Sequence, residues 1–169
     1  MLETDRLILR PFTLEDAPFI LRLLNEPSFI ENIVDKGVRT EEQAREYLRT
    51  GPLAMYEAHG HGLWWAGLKD GTPAGMVGLI RRPAFTDVDL GYAFLPEHTG
   101  RGYAREAAGA VLAWGRERLA LARVIALINP GHVRSENVVR HHGFQCEGTV
   151  EMAPGGDIVS LFAKSYGPE

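Results

Sequence analysis

The sequence holds a single cysteine, Cys146, among 169 residues, so no internal disulfide can staple the chain. That suits a reducing compartment. No apolar run approaches the ~18–20 residues of a membrane-spanning helix. Internal repeats, low-complexity tracts and linker-like charge blocks are also missing. The net charge of −4 excludes the basic balance of a protein whose main task is holding nucleic acid. A mildly acidic surface would suit a cationic amine ligand. The opening Met1-Leu2-Glu3-Thr4-Asp5-Arg6 lacks the basic-then-apolar layout of a secretory leader, so the cytoplasm is the expected address. With 45% apolar and 24% charged residues the composition is that of a globular protein. Its length fits one domain over residues 1–169.

Periodicity and punctuation predict a β-α-α-α-β-β-β-α-β-α-β-β order. Strands are expected at 4–12, 63–68, 74–80, 87–95, 124–128, 145–151 and 158–166. Thr13 caps a first helix, a short second helix spans 27–34, and Thr40-Glu41-Glu42-Gln43 opens a third running to about 58. A long alanine-rich helix is expected from 102 to about 119, and another from 135 to 142 closed by Gly143. The fold class is α/β: a mixed sheet with helices on both faces.

The most informative stretch runs from Leu90-Gly91-Tyr92 through Thr99-Gly100-Arg101-Gly102-Tyr103-Ala104-Arg105-Glu106-Ala107. A strand enters a glycine-bearing turn and the turn enters a helix. The first helical turn offers amides without internal partners and the positive end of the helix dipole. Gly100 and Gly102 let an anion approach the backbone, and Arg101 and Arg105 add charge-assisted contacts. The pattern reads as a pyrophosphate cradle; a plain tight turn before a helix is the competing reading. Ala104-Arg105 breaks the G-x-G-x-x-G spacing, and the Gly-Lys-Ser/Thr of a Walker loop is absent.

This stretch resembles the acetyl-CoA loop of the GNAT superfamily of N-acetyltransferases, Gln/Arg-x-x-Gly-x-Gly/Ala, matching it at Gly102 and Ala104. Glu3 to Arg10, Leu90-Gly91-Tyr92 and Ser135 to Phe144 are similar to the branch that acetylates ribosomal-protein N-termini. The resemblance implies a splayed mixed sheet and acetyl-CoA as acyl donor. It also implies an amine acceptor, either a peptide N-terminus or a small molecule, and direct transfer without a covalent enzyme intermediate. Backbone groups of Phe94 and Leu95 would grip pantetheine, and one of their amides could face the oxyanion. The chain departs from the pattern at Thr99, where Gln or Arg is usual, and at His132, where Asn is expected and a donor to pantetheine or ribose remains possible. Similar proteins often form dimers, so a homodimer is an open expectation.

Acyl transfer to an amine needs a neutral nucleophile, donors for the oxyanion and a stabilised thiolate. The family's usual tyrosine acid falls here on Val139, which has no proton to give. Ser135 is the substitute candidate, as acid, as simple helix cap, or as both. Asp89 is the candidate base or substrate attractor, against a reading as a solvated edge acid; Asp87 shares its face. An α-amino group (pKa ~8) suits an enzyme without a strong base better than lysine (pKa ~10.4). His59 and His61 read as exposed loop residues, and two histidines without a third ligand do not make a metal site. Of Trp64 and Trp65, one is expected in the core and the other could line an acceptor pocket roofed by Phe29 and Ile33. Cys146 reads as an unreactive packing residue. The alternative to an enzyme is a non-catalytic acyl-CoA binding or sensing module.

Overall fold

Consecutive strand residues point to opposite sides of a sheet, and the paired tryptophans show what each side serves. Trp64 packs edge-on against Trp114, ring centroids 4.9 Å apart, within one core. Trp65 lies in a second core with Phe12, Ile20, Leu48 and Met76, its ring covered by the Arg10 guanidinium at 4.2 Å. Both rings are structural, and neither lines the principal cavity. The expectation of a pocket tryptophan is corrected.

The structure, a computed structural model, describes residues 1–167. One sheet of eight strands separates the two cores. In chain order they are β1 (Leu2–Glu3), β2 (Leu7–Pro11), β3 (Leu63–Leu68), β4 (Pro73–Ile80), β5 (Val88–Phe94), β6 (Arg123–Ile128), β7 (Gln145–Glu151) and β8 (Ile158–Ser165). Their spatial order is β1-β2-β3-β4-β5-β6-β8-β7. Every neighbouring pair is antiparallel except β5 and β6. The helices are α1 (Ala17–Leu24), α2 (Pro27–Asn32), α3 (Glu41–Leu48), α4 (Ala54–His59), α5 (Tyr103–Leu119) and α6 (Val133–His141). The first core takes Ala107, Ala108, Val111 and Leu112 of α5 and Val139 of α6; the second takes the apolar stripes of α1 and α3.

Helix α5 lies close on the sheet because small residues face it: Ala107 and Ala108 are fully buried, and a Cβ at Gly115 would come within 2.5 Å of Leu79 Cδ1. The expected third helix is interrupted by a π-type turn at Arg49–Leu53, where Pro52 has no N–H to continue an α-helical ladder. The last helix begins at Val133, with His132 at its N-cap, so Ser135 falls in its first turn.

Two environments differ from those expected. Cys146 is exposed because β7 is the outermost strand, bulged between Cys146 and Thr149, and only Val150 of its residues is even partly covered. His61 is 4% exposed, with Nδ1 2.7 Å from the Leu79 carbonyl; that oxygen can only accept, so Nδ1 carries the proton. Burial, the largest influence, pushes its pKa below the usual imidazole value.

Candidate functional site

The site begins with a failure of pairing. Strands β5 and β6 match only at Val88↔Val124 and Asp89↔Ile125, although β5 continues to Phe94 and β6 to Ile128. Backbone groups alternate sides along a strand. The Leu95 amide donates to the Ala74 carbonyl on the β4 side, at 2.8 Å. One residue back, the N–H and C=O of Phe94 therefore face the opposite side, where β6 has diverged; those of Tyr92 do likewise. The Leu95 carbonyl accepts from the His98 amide at 2.9 Å, and the Leu95 side chain is buried. The Leu95 amide is therefore committed to β4, and of the expected Phe94–Leu95 pair it is the Phe94 N–H and C=O that face the gap. A cavity of about 440 Å³ fills the gap, with Phe94, Thr99, Ala104, His132 and Ser135 on its wall.

Gly100, Arg101, Gly102, Tyr103 and Arg105 follow the wall at Thr99. None of the amides of residues 100–105 donates to another protein atom among the described residues. Gly100 and Gly102 hold φ of +73° and +83°, a left-handed backbone that L side chains rarely adopt. A Cβ at Gly102 would come within 3.2 Å of Arg6 Nη2, and one at Gly100 would meet open space. The positive φ at both positions calls for glycine on conformational grounds, and only the end of the Arg6 side chain nears the face a Cβ would occupy. The Arg101 and Arg105 guanidiniums have no carboxylate partner among the described residues. The donors expected of a diphosphate cradle are present and unpaired, so these residues fit the pyrophosphate of an acyl-CoA.

The loop is braced from the N-terminus, an arrangement with no local sequence signal. Glu106 of α5 accepts from the Thr4 hydroxyl at 2.6 Å, the Arg6 amide at 2.8 Å and Arg6 Nε at 2.7 Å. Arg6 Nη1 also donates to the Arg101 carbonyl at 2.8 Å, and its guanidinium lies 4.6 Å above the Tyr103 ring. Partial burial alone would raise the Glu106 pKa; these donors outweigh it and bring it down.

On the other bank, Ser135 meets Tyr92, a residue with no role assigned from its motif. Tyr92 Oη is 2.7 Å from Ser135 Oγ and 2.9 Å from the Ser135 carbonyl. Burial, outweighing the Ser135 contact, raises the phenol to about 12, with nearby Asp89 adding to the rise. Tyr92 stays protonated at neutral pH. Val139 is fully buried in the core, as an apolar residue should be.

Asp89 is no solvated edge acid. It is 2% exposed, with Oδ2 2.6 Å from Arg82 Nε. Its Oδ1 is buried with no hydrogen-bond partner among the described residues, although the Leu127 amide lies near enough to favour the ionised form. Burial dominates and pushes the carboxyl pKa up, while Arg82 opposes it. Asp87 turns to Arg123 at 3.1 Å and does not reach the cavity. Phe29 and Ile33 do line it, as expected of a roof. Asn129, at the end of β6, donates to the Asn32 carbonyl at 2.7 Å and ties that roof to the sheet.

Known proteins share this fold. The chain is 29% identical over 154 residues to the Bacillus subtilis (strain 168) protein named uncharacterized N-acetyltransferase YoaA, covering 89% of this chain and 85% of that one. It is 31% identical over 153 residues to the uncharacterized protein YkkB of the same organism, covering 88% and 87%. An acetyltransferase from Agrobacterium tumefaciens str. C58 superposes with a TM-score of 0.79 over 98% of this chain and 94% of that one, at 26% identity. RimL, the ribosomal L7/L12 alpha-N-protein acetyltransferase in complex with coenzyme A, gives a TM-score of 0.82 over 96% and 95% at 17% identity, a likeness of fold. No described helix is long and apolar enough to cross a membrane. Residues 6–145 match the model of the acetyltransferase (GNAT) domain, and the chain belongs to that family of acetyl-CoA-dependent acyltransferases.

Proposed function

We propose that the protein transfers an acetyl group from acetyl-CoA to a primary amine by direct attack, with no covalent enzyme intermediate. The observation that carries this reading is the unpaired edge of β5 opposite β6, continuous with the unpaired amides of residues 100–105. The amides of 100–105, helped by Arg101 and Arg105, hold the diphosphate, with Thr99 and Ala104 on the adjoining wall. The backbone of Phe94 takes the place of a missing strand partner and grips pantetheine. His132, at the α6 N-cap and on the wall, adds a side-chain donor. Burial holds its pKa below the ordinary value, so it is neutral at physiological pH.

The thioester supplies the acyl carbon and a thiolate leaving group. The neutral amine nitrogen bonds to that carbon, the C–S bond breaks with its electron pair on sulfur, and the nitrogen sheds a proton to solvent. The Tyr92–Ser135 pair meets the sulfur. Tyr92 has one hydroxyl proton and two acceptors, the Ser135 carbonyl and Oγ. With that proton turned to Oγ, the Ser135 hydroxyl is free to donate to the developing thiolate. Full transfer from a phenol at about 12 to a thiolate near pKa ~8.5 runs uphill by roughly 3.5 units, or about 5 kcal/mol. The pair therefore stabilises the thiolate by hydrogen bonding, and solvent completes its protonation. Asp89, shut from solvent, acts as a positioning residue that fixes Arg82.

Thiol release from acetyl-CoA in the presence of an amine panel, with mass spectrometry of the product, tests the reading. Acetylated amine and free CoA in equal amounts are expected. Tight CoA binding with no product from any amine would replace the reading with an acyl-CoA sensor.

A further inference from the structure

The cavity does not end at the cofactor gap. It continues toward the start of β5 beneath α2, and there its charge is one-sided. Asp89 is the only carboxylate on the wall among the described residues, and Arg82 already neutralises it. Against that one acid stand Lys36 and Arg82 in this half, and Arg134 beside the cofactor gap. Lys36 has no carboxylate partner among the described residues. Arg82 spends its Nε on Asp89 and keeps its terminal nitrogens, with a third of its side chain still exposed. Tyr47 lines the same wall, and its hydroxyl has no hydrogen-bond partner among the described residues.

These groups sit close together. Desolvation lowers the Lys36 pKa, and the charge of Arg82 adds to the fall. That charge also acts on Tyr47, whose phenol burial has raised to about 12. Phe29, Ile33, Met55 and Met76 give this half its apolar surface, beside the uncharged Ser28 and Asn32 of α2. A polyamine or a lysine-rich segment would find no free carboxylate here.

We infer that the acceptor is a small amine carrying an anionic group, a carboxylate above all, held by Lys36 and Arg82 while its apolar body packs beneath α2. The inference rests on the acetyl-transfer reading and names its substrate class. Asp89, which holds Arg82, lies three residues before Tyr92, about 10 Å along a strand. Allowing for the reach of the arginine side chain, that span suits a molecule of amino-acid or dipeptide size.

The test pairs acceptors that differ in the anion alone: phenylalanine against phenethylamine and phenylalaninamide, and O-phosphoethanolamine against ethanolamine. The expected result is kcat/KM higher by about tenfold or more for the anionic member. In Lys36→Gln, an exposed position whose loss leaves the core intact, that ratio should fall to within about threefold. Preference for the phosphate pair alone would make the bound anion a phosphate and keep the site. Higher activity on phenethylamine, spermidine or a neutral hexapeptide would overturn the inference and leave acetyl transfer standing. A binding arm separates the two readings. Calorimetry on the CoA-saturated protein should show N-acetylphenylalanine bound more tightly than N-acetylphenethylamine, with the difference reduced in Lys36→Gln. That result without turnover on any amine would sustain the anion site and refute acetyl transfer. Equal binding of the two would overturn the anion site.

Discussion

Replacing Tyr92 with phenylalanine removes one oxygen from the bond pair at Ser135 and leaves the ring in place. Two contacts are lost, at 2.7 Å and 2.9 Å, and the half-buried Ser135 carbonyl loses a donor. One net hydrogen bond is worth about 1 kcal/mol to stability, which for a chain of this size lowers Tm by about 2–4 °C. The catalytic effect is larger if Ser135 donates to a thiolate, since a hydrogen bond to a charged group is worth about 1.5–3 kcal/mol, or roughly 10- to 150-fold in rate. Ser135→Ala should lose that whole factor in kcat, with KM for acetyl-CoA little changed. Tyr92→Phe frees the Ser135 hydroxyl but no longer orients it, so its loss should be smaller, about 3- to 10-fold. The double variant should be no slower than Ser135→Ala, because Tyr92 acts only through Ser135. Stopped-flow detection of thiol with acetyl-CoA in excess measures all four proteins. Losses that multiply in the double variant, or a Ser135→Ala enzyme at full speed, would refute the relay.

Other outcomes are equally specific. Gly102→Ala forces a side chain into φ near +83° at a cost of about 1–2 kcal/mol; KM for acetyl-CoA should rise roughly 5- to 30-fold, and an unchanged KM would show that this conformation does not serve binding. Glu106→Gln loosens the Thr4–Arg6 brace and should raise the same KM by about 3- to 10-fold with kcat within twofold, and a pure kcat effect would contradict the brace. Burial holds the His61 pKa below 6.5, so the unfolded chain binds more protons as pH falls past that value. The stability from this group is full above pH 6.5 and is lost as pH drops through the native pKa. Urea midpoints should therefore fall between pH 7.5 and 5.5 by more in the wild type than in His61→Gln, and equal slopes would contradict its burial as a neutral ring. Exposed Cys146 should react with Ellman's reagent in the native protein at close to a free-thiol rate. Protection until unfolding would contradict the exposed edge strand.

Elements with strong periodicity or punctuation were legible in the sequence. Strands 63–68 and 145–151 and the start of α5 after Gly102 stand where alternation and turn residues put them. The π turn at Arg49–Leu53 had Pro52, which lacks an N–H for the α-helical ladder, as its one sequence signal. The cradle was legible because its donors are consecutive backbone groups. The brace was not, since Thr4 and Arg6 meet Glu106 across about a hundred residues. Tyr92 appeared within the Leu90-Gly91-Tyr92 motif without a role, because its partner Ser135 is supplied by another strand–helix junction. Side-chain parity also misled: Asp87 and Asp89 share a strand face, but the sheet covers Asp89 with Arg82 and hands Asp87 to Arg123. Lys36 and Arg82 lie in connecting segments without a motif, and only the folded chain brings their charges together.

The proposed acetyl transfer requires main-chain amides between Gly100 and Arg105 to receive the diphosphate of CoA. Nitrogen–proton correlation spectra recorded during a CoA titration address those amides one by one. The account predicts that the largest shifts fall on Gly100, Gly102, Tyr103 and Ala104, and that pantetheine, which lacks the diphosphate, moves the Phe94 amide and leaves them in place. Saturable CoA binding with these resonances unmoved would contradict it.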